Sequence, residues 1–447
     1  MRINISAIQQ LNGGDGVAFT SNLSDSYNRQ KSINDAITLF DINQHPIKNK
    51  PNKTRLERIE SVAFNDDGTP IPNYKKSSVE LEKNPLDIAN YIIDQKTTLV
   101  TGAGVGLDSD DTDSELFKKV KLNWDNGKFE YDIAKFYRIL KTETQLAIIL
   151  FGKEGTKEFG YKIASPLHGD TLMPLYDEDT ENFIGLQREY KIGDKDVIDL
   201  YYKVGANKPR LKRIDKSVEI SDDELPYDNL PIIYFEQKEN EIANISELIY
   251  AFEDATNTFY DSCKYYSDPI LFSKGQMLDA PIHNESGKLF NSLDPQGDLK
   301  FVTPENPTEM RKLHFDTLLS LMFMLSKSVR LDSESLKGLG ANGLSGEAIE
   351  RFMTDAYMYA TSEQNGEFGK GIQRLVNWLT KEHGSLNKGI SELNIKAKFR
   401  KYSLRGEAER VDLFLKANGN LPLIGQEESV IGAGLAKDIT FLATIKE

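Results

Sequence analysis

The sequence predicts an α+β fold in which helical and β-rich sections follow one another in blocks. Three observations carry this expectation. Apolar residues recur every three or four positions in the stretches starting at Leu86, Ile245, Met310 and Ile349. Between them the period changes, and Phe159–Ala164, Asn182–Ile192, Asp196–Val204 and Pro231–Gln237 read as strands separated by turn signals. The composition of the 447 residues, with 39% hydrophobic and 28% charged, is that of an ordinary soluble chain.

The first 85 residues are polar and broken by Pro46, Pro51, Pro70, Pro72 and Pro85. They suit short strands or an arm, with a turn at Asn65-Asp66-Asp67-Gly68. The basic run Lys48, Lys50, Lys53 and Arg55 reads as a solvated loop, or else as a contact for an acidic neighbour. From Pro85, the residues Leu86, Ile88, Ala89, Ile92 and Ile93 set a helix that stops at the turn Gly102-Ala103-Gly104-Val105-Gly106. Residues 115–150 are expected to be mainly helical, ending in the apolar run Leu146–Phe151. The β-rich section follows.

A second helix carries Ile245, Leu248, Ile249, Phe252, Ala255, Phe259, Cys263 and Tyr266 on one stripe, which predicts that Cys263 is buried packing. Asp268-Pro269 ends it, and Pro269–Phe272 and Leu299–Thr303 read as strands of a small insertion. A third helix starts with Asn306 as N-cap, Pro307 in the first position and Glu309 completing a capping box. It is expected to run to Val329, and its portion 318–325 is apolar almost all round, so both faces should be covered. His314 on this helix is expected to be partly buried. A glycine-bearing loop, 332–345, leads to a long helix over 346–383, bent at Gly366, Gly369 and Gly371. A strand at Ile395–Tyr402 and helices around 405–417 and 435–446 complete the expectation.

The charge balance, 55 Lys and Arg against 69 Asp and Glu, gives a net charge of -14, the wrong sign for tight binding of nucleic acid by phosphate neutralisation. The longest apolar stretch, Leu318–Leu325, is broken by Ser320 and far short of the roughly 20 residues of a spanning helix. Met1-Arg2-Ile3-Asn4 lacks the apolar core of a signal peptide. One cysteine excludes an intrachain disulfide and a multi-thiolate metal site, which fits a reducing cytoplasm.

Motifs for chemistry are weak. The cluster Gly102–Gly106 invites a nucleotide reading, but its glycine spacing is wrong for a dinucleotide turn, a helix precedes it, and no Lys-Ser/Thr follows for a P-loop. The run Asp108, Asp110, Asp111, Asp113 and Glu115 fails the calcium-loop pattern, because the sixth position is Asp113 and the twelfth Lys119. It reads as a solvated acidic loop, as do Asp177, Glu178, Asp179 and Glu181. The five histidines include no His-x-x-x-His pair. No catalytic residue, metal site or cofactor is assigned. A nucleotide- or metal-dependent enzyme using Gly102–Gly106 or Asp108–Asp113 stays open as the alternative, as does a monomeric interaction module.

Several segments together resemble a known family. These are Asn90-Tyr91-Ile92-Ile93 leading to a glycine turn, the β-rich stretch Phe159–Tyr202 closed by Pro231-Ile232-Ile233-Tyr234-Phe235, the helix Ser246–Lys274, and Ser345-Gly346-Glu347-Ala348-Ile349 opening the bent helix. In order and spacing they are similar to the portal protein of tailed double-stranded DNA bacteriophages, in the branch of long-tailed phages of Gram-positive hosts. The resemblance covers about residues 85–445. It implies a ring, usually a dodecamer, at one capsid vertex of the virion, assembled in the host cytoplasm. In that fold, residues 1–84 are an N-terminal part of the wing, 85–242 the wing, and 243–267 and 307–331 the stem helices. Residues 268–306 are the clip, 332–345 the tunnel loop, 346–383 the kinked helix, and 384–447 a C-terminal wing region with the crown short, absent or removed.

The partners implied are the terminase large subunit, a head-completion or adaptor protein, major capsid and scaffolding proteins, and non-specific double-stranded DNA. The clip residues Lys274, Phe290 and Asp294 would serve docking. Lys327, Arg330, Lys337 and Asn342 would face the DNA, while Gly338, Gly340 and Gly343 let the loop move.

Overall fold

The computed structural model describes residues 2–3, 37–64, 66–67, 70–102, 104–177, 179–203, 205–215, 218–267, 270–274, 298–302, 308–330, 353–386 and 394–400. The expected loop 332–345 and the helices around 405–417 and 435–446 lie outside them.

In chain order, strand β1 (Arg2–Ile3) precedes a hairpin of β2 (Lys53–Phe64) and β3 (Pro70–Val79), which turns through Asp66 and Asp67. Helix α1 (Ile88–Thr101) stops at Gly102, whose N–H still reaches Thr98 O at 2.9 Å, before Gly104 takes φ +80°. The chain then enters strand β4 (Val105–Ser109), where a turn alone was expected. Helix α2 (Glu115–Asn126) is capped by Ser114, whose hydroxyl accepts from Leu116 N–H at 3.3 Å. Helix α3 (Phe129–Glu143) ends at Thr144, and the following run is not helical but strand β5 (Gln145–Gly152).

β5 is buried over its first six residues. Continuous apolar runs of that length have no period that separates a buried strand from a helix, and the sheet context decided the matter.

Next come β6 (Phe159–Ala164), β7 (Thr171–Asp177), β8 (Phe183–Ile192), β9 (Lys195–Tyr202), β10 (Arg210–Asp215), β11 (Val218–Glu224) and β12 (Ile232–Glu236). Of these, β7, β10 and β11 were not expected. The remaining elements are α4 (Ser246–Ser267), β13 (Ile270–Lys274), β14 (Asp298–Val302), α5 (Thr308–Leu325), α6 (Thr354–Asn365), α7 (Glu367–Leu386) and β15 (Ile395–Phe399). Helix α5 stops at Leu325, one turn before the expected Val329. The expected bend of the long helix is a break at Gly366, whose backbone is extended.

These residues divide into two compact units: one within 1–37, 89–243 and 323–447, the other within 38–88 and 244–322. In the first, a six-stranded sheet of order β1-β7-β8-β9-β10-β11 and a three-stranded sheet of order β12-β5-β6 are each joined by antiparallel pairings, apart from the parallel β1–β7 pair. Alternate residues of β5 serve two cores. Leu146, Ile148 and Leu150 pack with Trp124, Phe129, Phe136, Phe368 and Leu379 from the helices. Ala147 and Ile149 pack with Leu172, Leu186, Tyr201 and Tyr234. Gly371 lets α7 approach β12, since a Cβ there would run into the Phe235 ring.

The charged strands β10 and β11 escape apolar alternation because they are held by ion pairs. Arg213 Nε lies 2.7 Å from Asp199 Oδ1, and Arg210 Nε 2.9 Å from Asp222 Oδ1. Asp177 is buried and accepts from Thr180 Oγ1 at 2.5 Å, so it belongs to the packing and not to an exposed acidic turn.

In the second unit an extended segment lies along α4. Leu86 N–H donates to Glu253 Oε1 at 2.9 Å, Asn84 N–H to Asn257 Oδ1 at 2.9 Å and Glu82 N–H to Asp261 Oδ1 at 3.1 Å. The donors step back by two residues as the acceptors advance by four. Two residues of extended chain and one helical turn cover similar distances, so a strand running antiparallel to α4 meets one acceptor per turn. On another side His45 Nε2 sits 3.4 Å from Glu253 Oε1, and Lys50 pairs with Asp254. Lys50 is therefore engaged, while Lys48 and Lys53 are exposed. Strands β13 and β14 pair antiparallel from Ile270↔Val302 to Lys274↔Asp298.

Cover along α4 fades. Ile249 is fully buried, Phe259 is 37% exposed and Cys263 is exposed, contrary to the expectation from its stripe. His314 on α5 is exposed as well. On α5, Leu318 and Met322 are buried, but Met310, Leu313, Met324 and Leu325 stand 71%, 68%, 64% and 45% exposed. Among the described residues, the apolar stripes extend beyond what covers them. No helix among the described residues is long and apolar enough to cross a membrane.

Candidate functional site

The expected functional loop is framed by two fixed ends. At the first, α5 closes with Lys327 N–H on Met324 O at 3.1 Å and Ser328 N–H on Phe323 O at 3.0 Å. Lys327 takes φ 54°, the left-handed conformation that turns the chain out of the helix. The side chain of Gln95 on α1 then grips Val329 like a second strand. Its Oε1 accepts Val329 N–H at 2.8 Å and its Nε2 donates to Val329 O at 2.7 Å. Val329 is buried in the main core, and Phe323 meets Tyr91 edge to face at 6.1 Å.

At the other end Met353 is 2% exposed in the same core, and Tyr357 N–H closes on its carbonyl at 2.9 Å. Helix α6 is then held by a buried ionic cluster. Tyr359 Oη donates to Glu241 Oε1 at 2.7 Å and lies 3.1 Å from Tyr137 Oη. Lys96 Nζ reaches Glu241 Oε1 at 2.5 Å and stands 4.3 Å above the Tyr359 ring. Lys141 Nζ spans Glu241 Oε2 at 3.3 Å and Glu363 Oε2 at 2.9 Å.

Two cations face two carboxylates, so the cluster closes on itself electrically. Burial pushes Lys96 down, opposed by Glu241. Burial would raise Glu241, but the Lys141 and Lys96 ammonium groups hold its carboxyl below the usual range. Burial also raises both phenols, with nearby carboxylates adding to the effect. Such a set is a structural tie: breaking it by removing one member leaves an uncompensated buried charge.

The predicted residues are distributed as follows. Lys327 is exposed and Arg330 half-buried, both on the segment that leaves α5. Lys274 ends β13 in the other unit, in register with Asp298. Phe290, Asp294, Lys337, Gly338, Gly340, Asn342 and Gly343 lie outside the described residues. Gly104 has a conformational role, and a Cβ there would meet the Glu130 side chain. Asp111 Oδ1 accepts the N–H of Asp113 at 3.1 Å and of Ser114 at 3.2 Å, so the acidic run builds the start of α2. Sequence reasoning missed Gln95, Lys96, Lys141, Glu241, Tyr359 and Glu363. One signal was present: Lys96 sits among Ile92, Ile93, Leu99 and Val100 on the buried side of α1.

The family model described as "Phage portal protein, SPP1 Gp6-like" matches residues 31–427. No curated protein matches the chain. Among solved structures, it is similar to a chain of the neck of an empty GTA particle computed with C6 symmetry. The TM-score is 0.46 and the identity 9%, over 78% of this chain and 90% of that one. It is also similar to a chain of the neck of a native GTA particle computed with C12 symmetry, with TM-score 0.44 and 11% identity over 78% and 91%. A chain of the virion of a native gene transfer agent particle matches with TM-score 0.44 and 11% identity over 80% and 96%.

Proposed function

Because the chain belongs to the SPP1 Gp6-like family of phage portal proteins, we propose that copies of it close into a ring, a dodecamer in the virion, at one capsid vertex, through which DNA enters and leaves. In this reading α4 and α5 are the stem, the β13–β14 insertion belongs to the clip, and the segment between Arg330 and Met353 contains the tunnel loop.

The observation that carries the ring is the exposure of Met310, Leu313, Met324 and Leu325 along one helix of the single chain. Apolar residues exposed in such a row mark a surface that a partner covers, and rotational symmetry lets identical copies cover it in turn. The fixed ends at Val329 and Met353 support a loop held at a set position in the channel while its glycine-bearing middle yields. Lys327, Arg330 and Lys337 would touch the DNA backbone weakly, because each retained phosphate contact slows passage. Lys274, Phe290 and Asp294 would serve docking of terminase during packaging and of a head-completion protein afterwards. No chemical step is asked of this chain.

The test joins native mass with packaging. The purified chain is expected at a multiple of its 50.5 kDa mass that fits a closed ring. Lys327→Ala with Lys337→Ala is expected to change the rate or length of DNA packaged while leaving ring mass unchanged. A chain that stays single at all concentrations would remove the ring, and unchanged packaging in both respects would remove the DNA contacts.

A further inference from the structure

Lys327 and Ser328 close the end of α5 by donating to Met324 O and Phe323 O. Val329 is the first residue past that closure, and both of its backbone groups go to one side chain of α1. Gln95 Oε1 accepts its N–H at 2.8 Å, and Gln95 Nε2 donates to its carbonyl at 2.7 Å. Val329 is buried, so either group would be costly to leave unmade. One turn earlier on α1, Tyr91 meets Phe323 edge to face.

This grip acts on backbone atoms, so it fixes the course of the chain whatever side chain stands at 329. Its support is rigid: Ile92 and Ile93 of α1 have no exposed surface, and Lys96 pairs with Glu241. Lys327 lies two residues before the held residue and Arg330 one after it, at about 3.8 Å per Cα step. Both cations therefore stand a short span from a fixed point. Lys327 is exposed and Arg330 half-buried. A phosphate contact that must stay weak depends on distance, since salt screens charges over about 8–10 Å. A displaced backbone would change it.

We propose that Gln95 is a positioning residue for the DNA contact, its hydrogen bonds to Val329 setting where Lys327 and Arg330 stand as DNA passes. The proposal rests on the reading that these cations touch the DNA backbone, and adds to it the residue that sets their distance. Gln95 acts through Val329 and needs no contact with DNA of its own.

The experiment reads the rate of DNA packaging against salt concentration in particles assembled with each variant. The variants are Gln95→Met, Lys327→Ala with Arg330→Ala, all three changes together, and Gln364→Met as a matched control. Methionine keeps the length of glutamine and removes both hydrogen bonds. The control removes the bond of 2.8 Å from Gln364 Nε2 to Val100 O, which also ties α1 to another helix but involves neither Val329 nor its flanking cations. The alanine pair is expected to weaken the salt dependence, because fewer phosphate contacts release fewer counterions. Gln95→Met is expected to lose at least half as much of that dependence, with ring mass unchanged. Added to the alanine pair, it is expected to have no further effect. Gln364→Met is expected to keep the wild-type salt dependence, even where its melting temperature falls as far. Should Gln95→Met form no rings, Gln95→Asn takes its place: it keeps the amide but is one carbon too short to reach both groups.

Wild-type salt dependence in Gln95→Met, with the alanine pair sensitive, would overturn the positioning role and leave the DNA contacts standing. An equal loss in Gln364→Met, or a further loss when Gln95→Met joins the alanine pair, would overturn it in favour of a general loosening of α1. An alanine pair that packages like the wild type would remove the DNA contacts and this inference with them.

Discussion

The interior of the first unit and the helix pair of the second use apolar residues in opposite ways. In the first, Ile92, Ile133, Phe136 and Leu379 have no exposed surface, and strand β5 is enclosed on both faces. In the second, α4 and α5 meet through Phe252, Phe259 and Phe315, yet Met310 and Leu313 beside them face water. Even the buried charges differ. The Lys96, Lys141, Glu241 and Glu363 cluster is satisfied within the chain, whereas Arg311 leaves one N–H without an acceptor among the described residues. The first unit is a finished core. The helix pair of the second leaves apolar side chains uncovered among the described residues.

The comparison can be broken most forcibly at Phe136. Phe136→Ala is expected to lower the stability of the unassembled chain by about 3–5 kcal/mol, read from denaturant unfolding. A loss under about 1 kcal/mol would mean that this core is not closed.

A smaller effect comes from pH in the second unit. Burial pushes the Glu253 carboxyl up from 4.5 to about 7, against the Leu86 N–H that lowers it. A carboxyl with a raised folded value contributes most below its unfolded value of 4.5, and that contribution is lost as pH rises towards about 7. His45 acts the other way. Burial lowers its imidazole from 6.5, offset by Asp87 and reinforced by Lys48, so its contribution is lost as pH falls below 6.5. From 4.5 to about 7 the two contributions slope in opposite directions, and the Glu253 part is the one expected to lower thermal stability of the unit as pH rises. Glu253→Gln should flatten that slope. A slope kept by the variant would place the titration elsewhere.

The smallest effect on the single chain sharpens the comparison most. Met310→Ser with Leu313→Ser is expected to change the stability of the unassembled chain by no more than about 0.5 kcal/mol per site, because both side chains already face water. The same pair should raise the concentration at which rings form. If the unassembled chain loses several kcal/mol instead, the helix pair is covered within one chain and the contrast disappears.

Much of the helical architecture was legible because its signal is local. The three- and four-residue spacing of Ile249, Phe252, Ala255 and Phe259 predicted α4 within a residue or two, and the glycines after Asn365 predicted the break before α7. The strands of β8 and β9 showed the same kind of local alternation. Strand β5 did not, since six enclosed residues in a row carry no period. Strands β10 and β11 did not either, because their faces are made of Arg210, Arg213, Asp222 and Asp223, which read as loop until Asp199 is placed opposite Arg213. Cys263 shows the reverse failure: the stripe was read correctly, but a stripe says which side of a helix is apolar and not whether anything covers it.

By itself, then, the sequence determined most blocks of helix and strand, the acidic balance and the order of segments that marks the family. Tertiary structure decided which of these segments meet. Gln95 holds Val329, Tyr359 reaches Glu241 and Asn84 lies on Asn257 across chain separations of more than a hundred residues. The physical reason is range. Helical and strand periods arise from backbone geometry repeated every few residues, whereas a buried charge or amide acquires its partner only when distant segments fold together, and the partner's identity leaves no periodic trace in the chain.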